Sequence, residues 1–172
     1  MPTEDYVRER ETELKKYDNI WEVIHKGSYP ELYDIDCDCQ EFYSSYVSTY
    51  LERDINELIA TDSITFTKFL TAVAARTGEL LNYANIASDI GISEMTVKKW
   101  ISILEKTGIV YLLQQYSASA LNRAIKTPKI YFRDTGLACY LTRWLTADVL
   151  KNSAVAGNMF ETFVISEILK TY

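Results

Sequence analysis

Ser93, Thr96, Lys98, Lys99 and Ser102 lie in one short stretch, and they carry hydroxyls and amines of the kind that contact a phosphate backbone. On a helix that opens after Ser93 and buries Val97, Trp100 or Ile101, and Leu104, these side chains are left facing outward with Glu94. Lys98 and Lys99 would reach phosphates, while Ser93 and Thr96 near the helix start would reach phosphate oxygens or base edges. Arg123, Lys126 and Lys129, in or beside the loop that follows, would add a second set of phosphate contacts. Against nucleic acid, the helix has no arginine for the bidentate guanine contact, and Glu94 repels phosphates. The same lysines suit a solvated surface, and the three later cations suit a hairpin edge protected from aggregation.

Residues for catalysis are sparse. The six glycines are scattered, and none belongs to GxxxxGK[ST] or GxGxxG. The single histidine, His25, has no evident nucleophile partner. Glu161 and Glu167, six apart on a helix, do not share a face, so they do not form an acid/base pair. Cys37 and Cys39 beside Asp34 and Asp36 lack the second Cys or His pair that would complete a metal site. With three cysteines, an odd number, a secreted disulfide framework is not expected. The chain by itself is read as a non-enzyme without a bound cofactor or metal.

These residues must be held by elements that the apolar spacing predicts. Asn82 caps a short helix burying Ile86, Ala87 and Ile90, Gly91 makes the turn, and Ser93 caps the second helix, which ends near Gly108. Ile109 to Gln115 reads as a strand, 117–126 as a wing loop and Lys129 to Arg133 as the return strand. Residues 80 to 132 thus read as a winged helix-turn-helix with a small β-hairpin. Before it, helices are expected over 5–26, over 40–60 with Tyr43, Val47, Tyr50, Leu51, Ile55, Leu58 and Ile59 as its stripe, and from a cap at Asp62 or Ser63 until Gly78, with Phe66, Phe69, Leu70, Val73 and Ala74 as its apolar face. Asp34 to Asp38 reads as a loop. The tyrosines at 43, 46 and 50 read as core or interface in preference to a base-stacking platform. After the winged helix, Asp134-Thr135 caps a further helix, 146–158 reads as a linker, and a last helix from Met159 carries Phe160, Phe163, Val164, Ile168 and Leu169 along one side. An apolar side of this kind needs a partner. The fold class is mainly α.

The 172 residues carry a net charge of −6. Residues 1–79 hold 8 Lys and Arg against 17 Asp and Glu, 80–133 hold 7 against 3, and 134–172 hold 3 against 4. The positive charge therefore sits in the winged-helix segment, where it would favour weak, salt-sensitive binding to DNA or attraction between the two halves. No apolar run approaches the roughly 18 residues of a membrane span, and the opening residues are too charged for a signal-peptide core. A cytoplasmic protein without membrane contact is expected.

Five segments in order, GSYPEL (27–32), YLERDI (50–55), 76–110, KTPKIYFRDTGLACYL (126–141) and GNMFETFVISEILK (157–170), carry a family resemblance. They resemble the C-terminal region of prokaryotic AAA-like P-loop ATPases, in which a nucleotide-binding module precedes a domain of unknown function with a winged helix and then a restriction-endonuclease-like fold. The resemblance implies a helical lid-like domain over 1–79, a winged-helix domain over 80–145, and over 146–172 a linker and the first helix of a truncated α/β domain. It further implies ATP and Mg²⁺ for a missing N-terminal module, the ATPase core as a partner, and Arg53 as a candidate to sense nucleotide or contact that core, against a plain salt bridge to Asp54 or a neighbour. A glutamate matching Glu161 can assist metal binding in such an endonuclease fold, but the other metal ligands would lie beyond Tyr172. The chain is therefore expected to be a non-catalytic fragment whose winged helix binds nucleic acid or a protein. The alternative is a structural docking or homo-oligomerising module.

Overall fold

The computed structural model describes residues 18–34, 38–51, 62–116 and 127–171. Helices dominate: α1 (Ile20–Lys26), α2 (Glu31–Asp34) and α3 (Cys39–Tyr46), which runs on into a π-helical turn at Val47–Leu51, then α4 (Ser63–Ala74). There follow β1 (Glu79–Leu80), α5 (Tyr83–Ile90), α6 (Glu94–Lys106), β2 (Val110–Leu113), β3 (Lys129–Phe132), α7 (Thr135–Leu141), α8 (Ala147–Lys151) and α9 (Ala156–Thr171). The chain is mainly α with one small antiparallel sheet in the order β1-β3-β2. Val110 faces Phe132 and Leu113 faces Lys129 across one pair, and Glu79 faces Ile130 across the other.

Side-chain caps start these helices where the sequence places them. Asn82 accepts from the Asn85 amide, Ser93 from Thr96, Asp62 from Thr65 and Asp134 from Leu137, each satisfying a donor that the first turn leaves open. Gly91 closes α5 at φ 73°, in the left-handed region that side chains avoid, and its amide returns to the Ala87 carbonyl. The turn swings α6 across α5, burying Val97, Trp100, Ile101 and Leu104.

The order α4, β1, α5, α6, β2, β3 is a winged helix, with α4 as its first helix. Phe66 and Phe69 of α4 meet the Trp100 ring edge-on at 6.1 and 5.1 Å. The expected division at 79/80 therefore falls between elements that share one core. Strand β1 was not anticipated; at two residues it is too short to show alternation.

Around this core lies a second helical layer. Helix α7 packs on α1, α3, α4, α9 and β3, and α8 packs on α1. The stretch expected to be a plain linker holds α8, and α9 begins at Ala156. The expected helix of 40–60 leaves α geometry at Val47; its Ile55, Leu58 and Ile59 lie outside the described residues, as do 5–17 of the first helix.

Helix α9 is rotated from the simplest reading of its stripe, of which Phe163 packs on the core and Leu169 is half-buried. Its inward residues are Met159, Thr162 and Ser166, whereas Phe160, Val164 and Ile168 are 45%, 39% and 47% exposed. The reason is a seam of hydroxyls. Thr162 and Thr77 meet oxygen to oxygen at 2.9 Å, Thr77 accepts from the Phe132 amide at 3.1 Å, and Ser166 donates to the Phe132 carbonyl at 3.3 Å. Inside the fold these groups need partners, and β3 provides them.

Candidate interaction surface

The outward face of α6 is held by its own cap and by paired charges. The Ser93 and Thr96 hydroxyls bond each other at 2.7 Å, so both serve the helix start while remaining at the surface. Lys98 pairs with Glu94 at 2.7 Å, and its ammonium lies 5.4 Å from the centre of the Tyr83 ring. The Glu94 bond, and then its charge, raise the lysine pKa above its ordinary value. Partial burial raises that of Tyr83. Lys99 is exposed and has no ion pair among the described residues, and Ser102 is half-buried. At the tip of the face stands Met95, 81% exposed, which composition and spacing did not single out.

Lys129 is drawn away from the wing. It donates to Glu161 of α9 at 2.7 Å, and the Tyr131 hydroxyl donates to the same carboxylate oxygen at 2.5 Å. The Lys129 bond first, then Tyr131, hold the Glu161 carboxyl below its ordinary pKa. Burial, then Glu161, push the Tyr131 phenol up. Glu161 thus acts in the structure as a tie between α9 and β3. Arg123, Lys126 and Arg53 lie outside the described residues, as does Cys37.

A buried polar node lies in the helical layer, and sequence reasoning saw only its helix cap. The Asp134 carboxylate accepts from the Leu137 amide at 2.7 Å, from the Tyr43 hydroxyl at 2.7 Å, and from the Ser28 amide at 2.7 Å and hydroxyl at 3.0 Å. These bonds clamp α7 to the end of α1 and to α3. Gly136 makes the approach possible: a Cβ there would lie 2.5 Å from the Lys26 carbonyl oxygen and 2.8 Å from the Gly27 Cα, and would strike the Tyr43 hydroxyl. Burial, then the neighbouring Asp134, push the Tyr43 phenol far above its ordinary pKa. The signal lay in GS at 27–28 and DTG at 134–136, but nothing local says that they meet.

His25 and Cys139 are both built into the helical layer. A His25 ring nitrogen lies 2.7 Å from the Trp144 carbonyl oxygen, tying α1 to the turn after α7. Cys139 is buried, which raises its thiol pKa and makes it a poor nucleophile. Among the described residues, no group of three or more His, Cys, Asp or Glu is placed to hold a metal ion. No helix among them is long and apolar enough to cross a membrane.

Fold and surface together define a winged helix backed by a helical layer. The chain belongs to the family described as "Domain of unknown function (DUF8612)", whose profile matches residues 17–148. It is 29% identical over 135 residues to the uncharacterized proteins Rv2008c of Mycobacterium tuberculosis and Mb2031c of Mycobacterium bovis, an alignment covering 76% of this chain. The chain spans about 30% of the length of these curated relatives. No solved structure matches it.

Proposed function

We propose that the chain is a non-catalytic interaction module of a longer AAA-like ATPase and that the outward face of α6 docks a protein, with the ATPase core as the first candidate. The observation that carries this reading is the composition of that face. Met95 leads it and Lys98 is neutralised by Glu94, while Lys129 of β3 is committed to Glu161 and adds no free charge. A flexible thioether beside a neutralised lysine suits a protein surface better than a polyanion. The five ordered segments resembling such ATPases, and the greater length of the curated relatives, support a parent with further domains. ATP and Mg²⁺ would belong to that other module.

A second reading, duplex DNA, is favoured by Lys99, uncompensated beside the Ser93 and Thr96 hydroxyls at the helix start. One experiment separates the two. The purified chain is titrated with a separately expressed P-loop module from a family member and, in parallel, with labelled duplex DNA at low and moderate salt. Protein docking predicts binding to the module that Met95→Asp weakens at least tenfold, with DNA binding absent or unaffected by Lys98→Ala with Lys99→Ala. DNA binding lost in that double variant, with no affinity for the module, would overturn the proposal.

A further inference from the structure

Behind α6, on the side of the molecule formed by α4 and the end of α7, two clefts adjoin. One, of about 650 Å³, lies between α4 and α5, with Lys68, Ala72, Ala75, Arg76 and Ile90 in its wall. The other, of about 390 Å³, lies between α4 and α7, with Val47, Tyr140 and Leu145 in its wall. Thr67, Thr71 and Arg143 line both. The two clefts therefore form one trough along α4, which at 12 residues is about 18 Å long. Ile64 and Leu145 stand at its rim, 68% and 71% exposed.

Arg143 marks this trough. It has φ 59°, and no other non-glycine residue among those described has a positive φ. The position follows α7, where glycine is the residue that fits without strain. Flanking bonds hold the turn: the Arg143 amide donates to Tyr140, the Trp144 amide to Cys139, and the Trp144 carbonyl meets His25. The backbone would be easier to form with glycine, so what arginine adds is its guanidinium, placed where the clefts join.

Charge narrows the choice of occupant. The lining holds Lys68, Arg76 and Arg143 against Asp89, and Asp89 is bound by Arg76. Neither Lys68 nor the Arg143 side chain has an ion pair or hydrogen bond among the described residues. Two uncompensated cations thus stand over a floor of small residues, Thr71, Ala72 and Ala75, which lets a second helix approach to about 8–10 Å between axes. We infer that this trough receives an acidic amphipathic helix of a partner protein, about three turns long, with its apolar side on the small residues of α4 and its carboxylates against Lys68 and Arg143.

The probe is a labelled synthetic helix with leucines at i, i+3, i+4 and i+7 and glutamates elsewhere; the control has lysine in place of each glutamate. Anisotropy with the full chain should show binding of the acidic helix, at least fivefold weaker in 300 mM than in 50 mM salt, and at least tenfold weaker binding of the control. Arg143→Gly should weaken binding at least fivefold while the thermal midpoint stays equal or rises, which separates the guanidinium from the fold; Lys68→Glu should weaken it further. Equal binding of both helices, no binding of the acidic helix, or indifference to both variants would overturn the inference. So would a dimer by light scattering that Arg143→Gly dissociates, which would make a second copy the occupant, or duplex DNA binding that the same variant abolishes.

Discussion

At Gly136 a hydrogen atom sits where any side chain would strike Tyr43 and the Lys26 carbonyl. Neither neighbour can retreat easily, since the Tyr43 hydroxyl is bonded to Asp134 and the carbonyl is backbone. Gly136→Ala is expected to cost about 3 kcal/mol by overpacking. Tyr43→Phe, which leaves Asp134 its other donors, is expected to cost about 1–2 kcal/mol. Urea denaturation checks both, and a Gly136→Ala variant as stable as the parent would show that α1 and α7 separate freely here. The capping role of Asp134 can be read from DT before an apolar run, because a cap is a local device. Its bonds to Ser28 and Tyr43 span 106 and 91 residues, and no local pattern encodes such distances.

Gly91 presents the opposite case at the scale of an element. Nothing lies within 4 Å of a Cβ built there, so Gly91→Ala is expected to lose about 1–2 kcal/mol from backbone strain alone. The turn between α5 and α6 should then fray first in hydrogen exchange; unchanged protection in both helices would count against this. Helix-turn-helix, strands β2 and β3, and the caps at Asp62, Asn82 and Ser93 were legible because spacing, glycine and cap residues agree within a few positions. Helix α9 was legible as a helix, but of its stripe only Phe163 and Leu169 turn partly inward. A strong apolar stripe argues for burial, yet Thr162 and Ser166 won the inner side because Thr77 and the Phe132 backbone offered them partners. Among the candidate contacts, Ser93, Thr96, Lys98 and Lys99 do gather on α6, whereas Lys129 turns to α9; a lysine's reach conceals its partner until the tertiary fold is known.

Over the whole molecule, one apolar core runs from the winged helix into the helical layer, through Phe66, Phe69, Leu137 and Ile24, and polar ties reinforce it. The Lys129–Glu161–Tyr131 group is one of these ties and should respond to acid. The folded carboxyl has a pKa below its unfolded value of about 4.3, so its contribution is present above that pH and is lost as pH falls through the folded value. The Glu161 side chain is 42% exposed, and screening keeps the effect to about 1 kcal/mol or less. Glu161→Gln should therefore melt lower than the parent at pH 7 and converge with it near pH 3; a gap that persists unchanged at pH 3 would assign the difference to packing. Hydroxyls fill the middle of the contact between α9 and β3, while Met159 and Phe163 of the same helix reach the apolar core, so peeling α9 away would uncover both kinds of surface. Heat capacity follows apolar exposure. An opening at that contact would accordingly carry a heat-capacity increment of its own, and chilling would loosen α9 together with the oily centre of the molecule.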